Sequence, residues 1–187
     1  MKVLYFDCFS GISGDMSVGS LLDLGVGEKE FRAELSKLNI EGYDLNIEKK
    51  LKNGIMGTSF DVILHELQHH HHNNGDVNEQ HNGHHHENQA HHHHRNLDDI
   101  EKIIDNSLLN DNVKNMSKKI FNVVAEAEGK IHGKPPKEVH FHEVGALDSI
   151  VDIVGIAICI DQLNPNKIVF SYLPLTRGFV NCQNLET

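Results

Sequence analysis

The pattern of apolar and polar residues predicts a strand followed by two helices at the start of the chain. Residues 2–7 form a short aromatic and β-branched run with a polar end, which is typical of a buried strand. A helix is predicted over about 15–24, and Gly25 is its expected end. Apolar residues at helical spacing predict a second helix over 28–38.

A β-hairpin is predicted next. Residues 43–52 alternate apolar and polar side chains, which is the pattern of a half-exposed strand. Asn53 and Gly54 favour a tight turn, and residues 55–64 are predicted to form the return strand.

Helices dominate the pattern in the second half of the chain. Asn96 is a suitable N-cap with Asp99 three residues later, and a stripe of isoleucines follows. A longer helix is predicted from Asn110 to about residue 131. Residues 146–163 are apolar on nearly every side, so we expect their helix in the core. The extended segments predicted in this half are Val139–His142 and 167–173.

A segment of low complexity separates the two halves. Residues 69–94 contain His, Asn, Gly, Gln and Glu and almost nothing apolar, so they cannot bury enough surface to offset the entropy of ordering. We expect a disordered insertion over 65–95. The flanking parts, 1–64 and 96–180, are predicted to form one α/β domain with a mixed sheet and packed helices, α+β being the alternative class. Residues 181–187 are predicted to be an irregular tail.

The net charge of −10 limits the kinds of partner we expect, and the three cysteines indicate the cellular compartment. A negative field attracts metal cations but neither nucleic acid nor an anionic membrane, so we expect neither of these partners. Cys8, Cys159 and Cys182 form no CxxC pair, which favours reduced thiols and a cytoplasmic protein. The longest apolar run, within 150–160, is broken by Asp152 and is too short to span a membrane.

A glycine-rich loop between the first strand and the first helix is a candidate phosphate site. Backbone N–H groups of such a loop, together with a helix N-terminus, can bind an anion. The two flanking aspartates would repel a bare phosphate, which favours a divalent ion between them and the phosphate. The alternative is a tight turn without a ligand. The candidate substrate-binding or phosphate-binding residues are Asp7, Ser10, Gly11, Ser13, Gly14 and Asp15.

A second cluster of polar residues lies within 140–152. Two histidines at i and i+2 leave one face of an extended segment, and two aspartates at i and i+4 share one face of a helix. Together they present the N and O donors that divalent transition metals bind. The candidate metal ligands are His140, His142, Asp148 and Asp152, and the candidate catalytic residues are His140, His142 and Glu143. The alternatives are hydrogen-bonded surface histidines, Asp148 as a helix N-cap and Asp152 in a buried ion pair.

The histidine tract within 69–94 is a candidate metal buffer. Its many interchangeable imidazoles can bind nickel, copper or zinc, and composition does not choose among them. A disordered segment does not hold a fixed geometry, so we expect buffering rather than catalysis. Low-complexity drift is the alternative. The histidines assigned to buffering are His69, His70, His71, His72, His84, His85, His86, His91, His92, His93 and His94.

Two of these segments resemble the signatures of the LarC family of nickel insertion proteins. Residues 4–16 (LYFDCFSGISGDM) resemble the N-terminal signature, and residues 140–152 (HFHEVGALDSIVD) resemble the second one. Residues 54–58 are similar to the family's turn, and a histidine-rich insertion at this place is common in the family. The resemblance extends from residue 1 to about residue 180.

The resemblance implies a reaction. Family members insert nickel into pyridinium-3,5-bisthiocarboxylic acid mononucleotide, a lyase-type step that forms nickel–carbon and nickel–sulfur bonds. The product is the nickel-pincer nucleotide of lactate racemase-type enzymes. The resemblance does not say which residue has which role. From the chemistry of the residues we expect the glycine loop to hold the substrate phosphate, His140 and His142 to carry nickel, and Glu143 to accept the ring proton.

The family also implies partners for this chain. Its members are about twice as long and use CTP with manganese or magnesium, and we expect the nucleotide-using part in their C-terminal half rather than in this chain. After Val180 the sequence departs from the family pattern, which favours a truncation or a change of reading frame. We therefore expect a C-terminal half as a frameshift product or a separate chain, and a homo-oligomer.

Two other functions compete with nickel insertion. The first is a nickel store or metallochaperone, in which the histidine tract is the functional part. The second is a metal-dependent phosphohydrolase built on Asp7 and Asp15.

Overall fold

The computed structural model describes residues 1–65, 95–139, 141 and 146–174. Within these ranges the chain forms four strands, five α-helices and one short 3-10 helix at Pro136–Glu138. In chain order the strands and α-helices are β1 (Val3–Phe6), α1 (Gly14–Asp23), α2 (Glu28–Ser36), β2 (Tyr43–Lys52), β3 (Ile55–Leu64), α3 (Leu97–Asn106), α4 (Asp111–His132), α5 (Leu147–Leu163) and β4 (Lys167–Phe170).

Helix α5 lies in the core, as its apolar sequence predicts. It packs against α1, α2, α4 and β3. Close approach to α1 and α2 depends on Gly155, because a Cβ there would lie 3.3 Å from both Val18 Cγ2 and Phe31 Cζ. The buried residues of α5 belong to one hydrophobic cluster with residues from both sides of the segment 66–94. The two flanking parts of the chain therefore share a core.

Strands β1 and β4 form a parallel pair. Phe6 lies opposite Phe170, and their rings stack with centroids 4.8 Å apart. Beyond the strands the backbone N–H of Ser171 donates to Phe6 O at 2.9 Å. The predicted strand 167–173 is therefore shorter in the structure, and its last residues leave the ladder near the glycine-rich loop.

Strands β2 and β3 form the predicted hairpin, with Tyr43 opposite Leu64 and Lys52 opposite Ile55. The turn residues Asn53 and Gly54 both have positive φ, of 52° and 81°. A two-residue hairpin turn of type I′ requires this conformation at both positions, and Asn-Gly is the preferred pair for it.

A carboxylate on α1 attaches the hairpin to the rest of the fold. Asp23 accepts the backbone N–H of Thr58 at 2.8 Å and its hydroxyl at 2.6 Å, and it also pairs with Lys49. These interactions hold the pKa of Asp23 at about 2, with the bond from Lys49 as the largest cause. Next to this contact, Gly19 lets the backbone of α1 approach the carbonyl of Thr58.

The predicted helix ends in the second half are confirmed. Asn96 accepts the N–H of Asp99 at 2.9 Å, and the Asp99 carboxylate receives the N–H of Asn96 in return, which is a capping box. Asn110 caps α4 by accepting the N–H of Val113 at 3.0 Å, and Gly133 ends that helix in the left-handed conformation.

The α/β fold class is confirmed. Parallel and antiparallel pairs are both present among the described residues, as two separate two-stranded sheets that helices pack against. None of the described helices is both long and apolar enough to cross a bilayer. The predicted insertion at 65–95 and the predicted tail at 181–187 fall almost wholly outside the described residues, so they remain predictions.

Candidate functional site

The glycine-rich loop joins β1 to α1 and is fixed by hydrogen bonds. The N–H of Gly11 donates to Cys8 O at 3.0 Å, and Gly11 has a φ of +89°, which side chains rarely allow. The N–H of Cys8 donates to Ser171 Oγ at 2.7 Å. The loop therefore lies at the carboxyl ends of both parallel strands, where α/β folds bind their ligands.

The first turn of α1 follows the loop directly. Ser13 occupies the N-cap position, but its side chain makes no capping bond to the helix backbone. Its hydroxyl instead donates to Asp15 Oδ1 at 2.5 Å. The N–H groups of this turn are thus available to other acceptors, and the backbone N–H of Asp15 donates to the carboxylate of Asp152.

A close approach between Gly14 and Asp152 brings the two sequence motifs together. A Cβ built on Gly14 would lie 2.7 Å from the Cβ of Asp152 and 2.8 Å from its Cγ. These separations are shorter than real carbon contacts, so only glycine fits at this position. The start of α1 and the second turn of α5 therefore meet at the aspartate.

The carboxylate of Asp152 lies in an environment that opposes its negative charge. Burial, the largest cause, and the neighbouring charges of Asp15 and Asp148 together raise its pKa to about 6, against a smaller lowering by the Asp15 N–H. Its Oδ1 atom is buried and has no hydrogen-bond partner among the described residues. A cation bound at Oδ1 would supply the missing partner and offset the three negative charges.

Asp148 lies at the exposed edge of this acidic cluster. It is in the first turn of α5, and its Oδ1 accepts the N–H of Ser149 at 2.8 Å. The N-cap of α5 is Ala146, so the alternative assignment of Asp148 as the cap is wrong. An ion pair of Asp152 with Lys or Arg is not favoured either, because its Oδ1 has no partner in the described part of the chain.

Some of the other predicted site residues lie outside the described part of the chain, and Asp7 lies apart from the acidic cluster. His140, His142 and Glu143 lie outside the described residues, as does the buffering tract, so their assignments stay predictions. Asp7 is exposed at the end of β1 and is not among the charges that act on Asp152. Within the described ranges, no three His, Cys, Asp or Glu side chains are arranged to hold a metal ion. A cation at Asp152 would therefore need further ligands, such as water or a phosphate.

An apolar pocket of about 240 Å³ adjoins the loop on the side of β1. The sequence patterns did not identify it. The available sequence signal was the spacing of Met16, Ser20 and Leu24, which are four residues apart along α1 and its C-cap. In the structure Met16 is 57% exposed and Leu24 is 60% exposed. The lining residues are Leu4, Tyr5, Phe6, Asp7, Cys8, Gly11, Ile12, Met16, Ser17, Ser20 and Leu24.

Comparison with known proteins gives consistent matches over nearly the whole chain. The sequence profile of the family described as "Nickel insertion protein" matches residues 4–185. No solved structure matches the chain significantly.

The similar curated proteins carry nickel insertion names. A "Pyridinium-3,5-bisthiocarboxylic acid mononucleotide nickel insertion protein" of Acetivibrio thermocellus is 52% identical over 98% of this chain and 42% of its own length. A protein of the same name from Clostridium acetobutylicum is 57% identical over 97% of the chain and 46% of its own length. A "Putative nickel insertion protein" of Maridesulfovibrio salexigens is 58% identical over 97% and 45%.

The chain thus spans less than half the length of these relatives. The family match nevertheless includes both the glycine-rich loop and the acidic cluster of α5 that the fold brings together. This chain belongs to the family of nickel insertion proteins.

Proposed function

We propose that this chain supplies the substrate-phosphate site of a nickel insertion protein acting on pyridinium-3,5-bisthiocarboxylic acid mononucleotide. The observation that supports this most directly is the contact of Gly14 with Asp152, which joins the loop to the acidic start of α5. The names of the relatives support the choice of substrate. Each of these relatives is more than twice as long as this chain. Nickel insertion by this chain is therefore itself a proposal.

The phosphate would bind at the loop, next to the N-terminus of α1. The N–H groups there attract an anion, whereas Asp15 and Asp152 repel it. Asp15 and Asp152 would hold a magnesium or manganese ion beside the phosphate, and its positive charge would offset this repulsion. Its fit is supported by the unpartnered Oδ1 and the raised pKa of Asp152.

Nickel is a substrate in this reaction. His140 and His142 would deliver it as Ni²⁺ to the two thiocarboxylates, forming nickel–sulfur bonds. Formation of the nickel–carbon bond replaces the C–H bond of the ring, so one proton leaves and no electron is transferred. Glu143 is the proposed acceptor of that proton.

Several finer features belong to the same proposal. The reaction is a lyase-type insertion that forms the nickel-pincer cofactor of lactate racemase-type enzymes. CTP is expected to act through a C-terminal half that accompanies this chain, and we expect a homo-oligomer in the cytoplasm. The phosphohydrolase alternative is less favoured, because Asp7 is not among the charges that act on Asp152.

The proposed function is tested by following nickel insertion by mass spectrometry. Purified chain is mixed with the substrate mononucleotide, CTP, Mg²⁺ and Ni²⁺, with and without the C-terminal half of a relative. We expect the Asp152→Asn variant to lose at least about 90% of the product, since the carboxylate would hold the bridging ion. Asp98→Asn, which alters an exposed carboxylate in the first turn of α3, is the control and should retain full yield. Unchanged yield with Asp152→Asn would overturn the proposal.

The delivery role of the histidines needs a separate test. Replacing His140 and His142 together by alanine should abolish insertion while leaving binding of the mononucleotide intact. If nickel insertion is unchanged in this double variant, the histidines do not deliver the metal.

A further inference from the structure

The apolar pocket follows an open strand edge. Among the described residues β1 pairs only with β4, so its other edge has no partner strand. The consecutive strand residues Leu4, Tyr5 and Phe6 all line the pocket. Since successive side chains of a strand leave opposite faces, a cavity that touches three in a row lies along the backbone edge. The pocket therefore occupies the place where the next strand of the sheet would lie, with α1 as its other wall.

The open edge presents backbone groups to the pocket. Phe6 accepts the N–H of Ser171, so the backbone polar groups of Phe6 are directed to the β4 side. Successive residues of a strand direct their N–H and C=O groups to opposite edges, so those of Tyr5 are directed to the pocket. An edge of this kind is a template for pairing with another segment of chain.

The outer face of the β1–β4 pair is also uncovered. Val3 is 45% exposed and Tyr5 is 56% exposed, whereas Leu4 between them is buried. Parallel strands occur almost only in sheets that are covered on both faces, and a sheet of two strands is marginally stable. The pair therefore needs a further segment of protein at this edge.

We propose that residues 179–182 of this chain pair with the open edge of β1 as an antiparallel strand. The inference is independent of the proposed function and shortens the expected irregular tail to 183–187. The described part of the chain ends at residue 174, just after β4. Ser171 lies at the carboxyl end of β1, where its Oγ accepts the N–H of Cys8, a lining residue of the pocket. The C-terminal segment (residues 175–187) therefore starts beside the groove.

The connection from β4 is long enough. The open edge of β1 lies two strand spacings from β4, roughly 10 Å away. The eight residues 171–178 span up to about 26 Å when extended. The chain can thus pass over the end of β1 and enter the groove from the side of the glycine-rich loop, which gives the antiparallel direction.

The sequence of the C-terminal segment fits the two walls of the groove. In a strand, Val180 and Cys182 share one face and are about 6.7 Å apart. Met16 and Ser20 line the groove about 6 Å apart along α1. The two small apolar side chains therefore match this wall, with Val180 at Met16 and Cys182 at Ser20. Phe179 leaves the opposite side of the strand and adds to the uncovered outer face.

The charges favour the same direction. Asp7, at the loop end of β1, is the one charged residue among the described residues that line the pocket. Arg177 is the one cation among residues 175–187. An antiparallel strand places Arg177 near Asp7, whereas a parallel strand would carry it towards Lys2. Opposite charges on neighbouring strands stabilise their pairing.

Disulfide formation with the native Cys182 tests this placement in the whole chain. Ser20→Cys puts a thiol on the α1 wall, and Ser36→Cys puts one on an exposed position of α2 as the matched control. Each serine hydroxyl donates to a carbonyl three residues earlier in its own helix, so the two changes are equivalent. A disulfide needs Cα atoms within about 7 Å, so its formation reports proximity. With oxidised glutathione, the bond to Cys182 should form at least about tenfold faster in Ser20→Cys than in Ser36→Cys, as measured by peptide mass spectrometry.

A charge exchange tests the direction of the strand. In the Ser20→Cys background, Arg177→Glu should slow formation of the bond about threefold, because two carboxylates then lie together at the loop end. Adding Asp7→Arg restores the pair of opposite charges and should restore the rate.

Three results would count against the inference. A rate in Ser20→Cys no greater than in Ser36→Cys would overturn it. A bond formed only between two chains, at a rate that rises with protein concentration, would assign the groove to a second copy and overturn it as well. Equal rates with and without Arg177→Glu would overturn the antiparallel direction. None of these measurements uses nickel or the mononucleotide, so a failure of the proposed function leaves the inference standing.

Discussion

Gly14 and Asp152 are separated by 138 positions in the sequence, yet a Cβ on the glycine would lie 2.7 Å from the Cβ of the aspartate. This contact fixes the N-terminus of α1 against the second turn of α5. It also brings the glycine-rich loop and the acidic cluster into one site. The size of residue 14 should therefore control both the stability of the fold and the geometry of the site.

Gly14→Ala is expected to destabilise the protein by about 1–3 kcal/mol, because the added methyl group displaces the Asp152 side chain or the helix. This expected loss of stability is opposite to what helix propensity alone predicts, since alanine is favoured over glycine in a helix. Urea unfolding followed by circular dichroism measures the change. Gly57→Ala is the control, because a Cβ there meets only Asp23 Oδ2 at an ordinary 3.8 Å. Equal stability of the Gly14→Ala variant and the wild type would contradict the packing.

The raised pKa of Asp152 predicts a pH dependence of stability. Its value in the folded protein, about 6, is above the ordinary aspartate pKa of 3.8. The stabilising contribution of this group is therefore complete below pH 3.8 and is lost as the pH rises through about 6. In Asp152→Asn that loss is absent, so at pH 8 without divalent ions the variant should be more stable by about 1–2 kcal/mol, allowing for solvent screening of a half-buried group.

Thermal unfolding between pH 4 and pH 8 measures this difference. The gap in free energy of unfolding between variant and wild type should open above about pH 4 and reach its full size by about pH 7. A constant gap across this range would show that Asp152 does not titrate as the structure indicates.

Part of this arrangement could be predicted from sequence and part could not. The hairpin, the caps at Asn96 and Asn110 and the core helix follow from local signals: turn residues, capping side chains and apolar periodicity. Asp152 was identified because a carboxylate within an apolar helix needs a partner. Its contact with Gly14 is set by the packing of α1 on α5, which no local pattern encodes.

The attachment of the hairpin by Asp23 was also missed, for a related reason. Asp23 is the last residue of α1, where the helix dipole disfavours a negative charge. No local pattern indicates its partner Thr58, which is 35 residues away. The same holds for the pocket, whose two walls come from β1 and α1 and become neighbours only in the fold. Long-range contacts of this kind are decided by tertiary structure.

Asp23→Ala should reduce stability by about 1 kcal/mol. The variant leaves the backbone N–H of Thr58 without its acceptor and removes the pairing with Lys49, both of which are partly exposed to water. Chemical denaturation measures the loss. The matched control is Asp61→Ala, which removes an exposed partner of Lys50 on the same hairpin and should change stability by less than about 0.5 kcal/mol. If both variants lose the same stability, Asp23 has no special role.

The histidine tract is predicted to buffer nickel and not to catalyse its insertion. Replacing residues 69–94 by a Gly/Ser linker of equal length keeps the chain length and removes the imidazoles. Insertion should then proceed normally with excess nickel and fail only when nickel is limiting, as measured by product yield against free nickel concentration. Loss of insertion at saturating nickel would contradict the buffering role, because a buffer is dispensable when nickel is abundant, and would show that the tract is needed for insertion itself.

The central claim is that Asp152 holds a divalent cation which in turn holds the substrate phosphate. Calorimetric titration of the nickel-free mononucleotide into wild-type protein and into Asp152→Asn, each with and without Mg²⁺, tests it most directly. We predict that Mg²⁺ tightens binding to the wild type at least about tenfold and has no effect on the variant, since a bridging ion needs the carboxylate. An equal gain from Mg²⁺ in both proteins, or no gain in either, would contradict the claim.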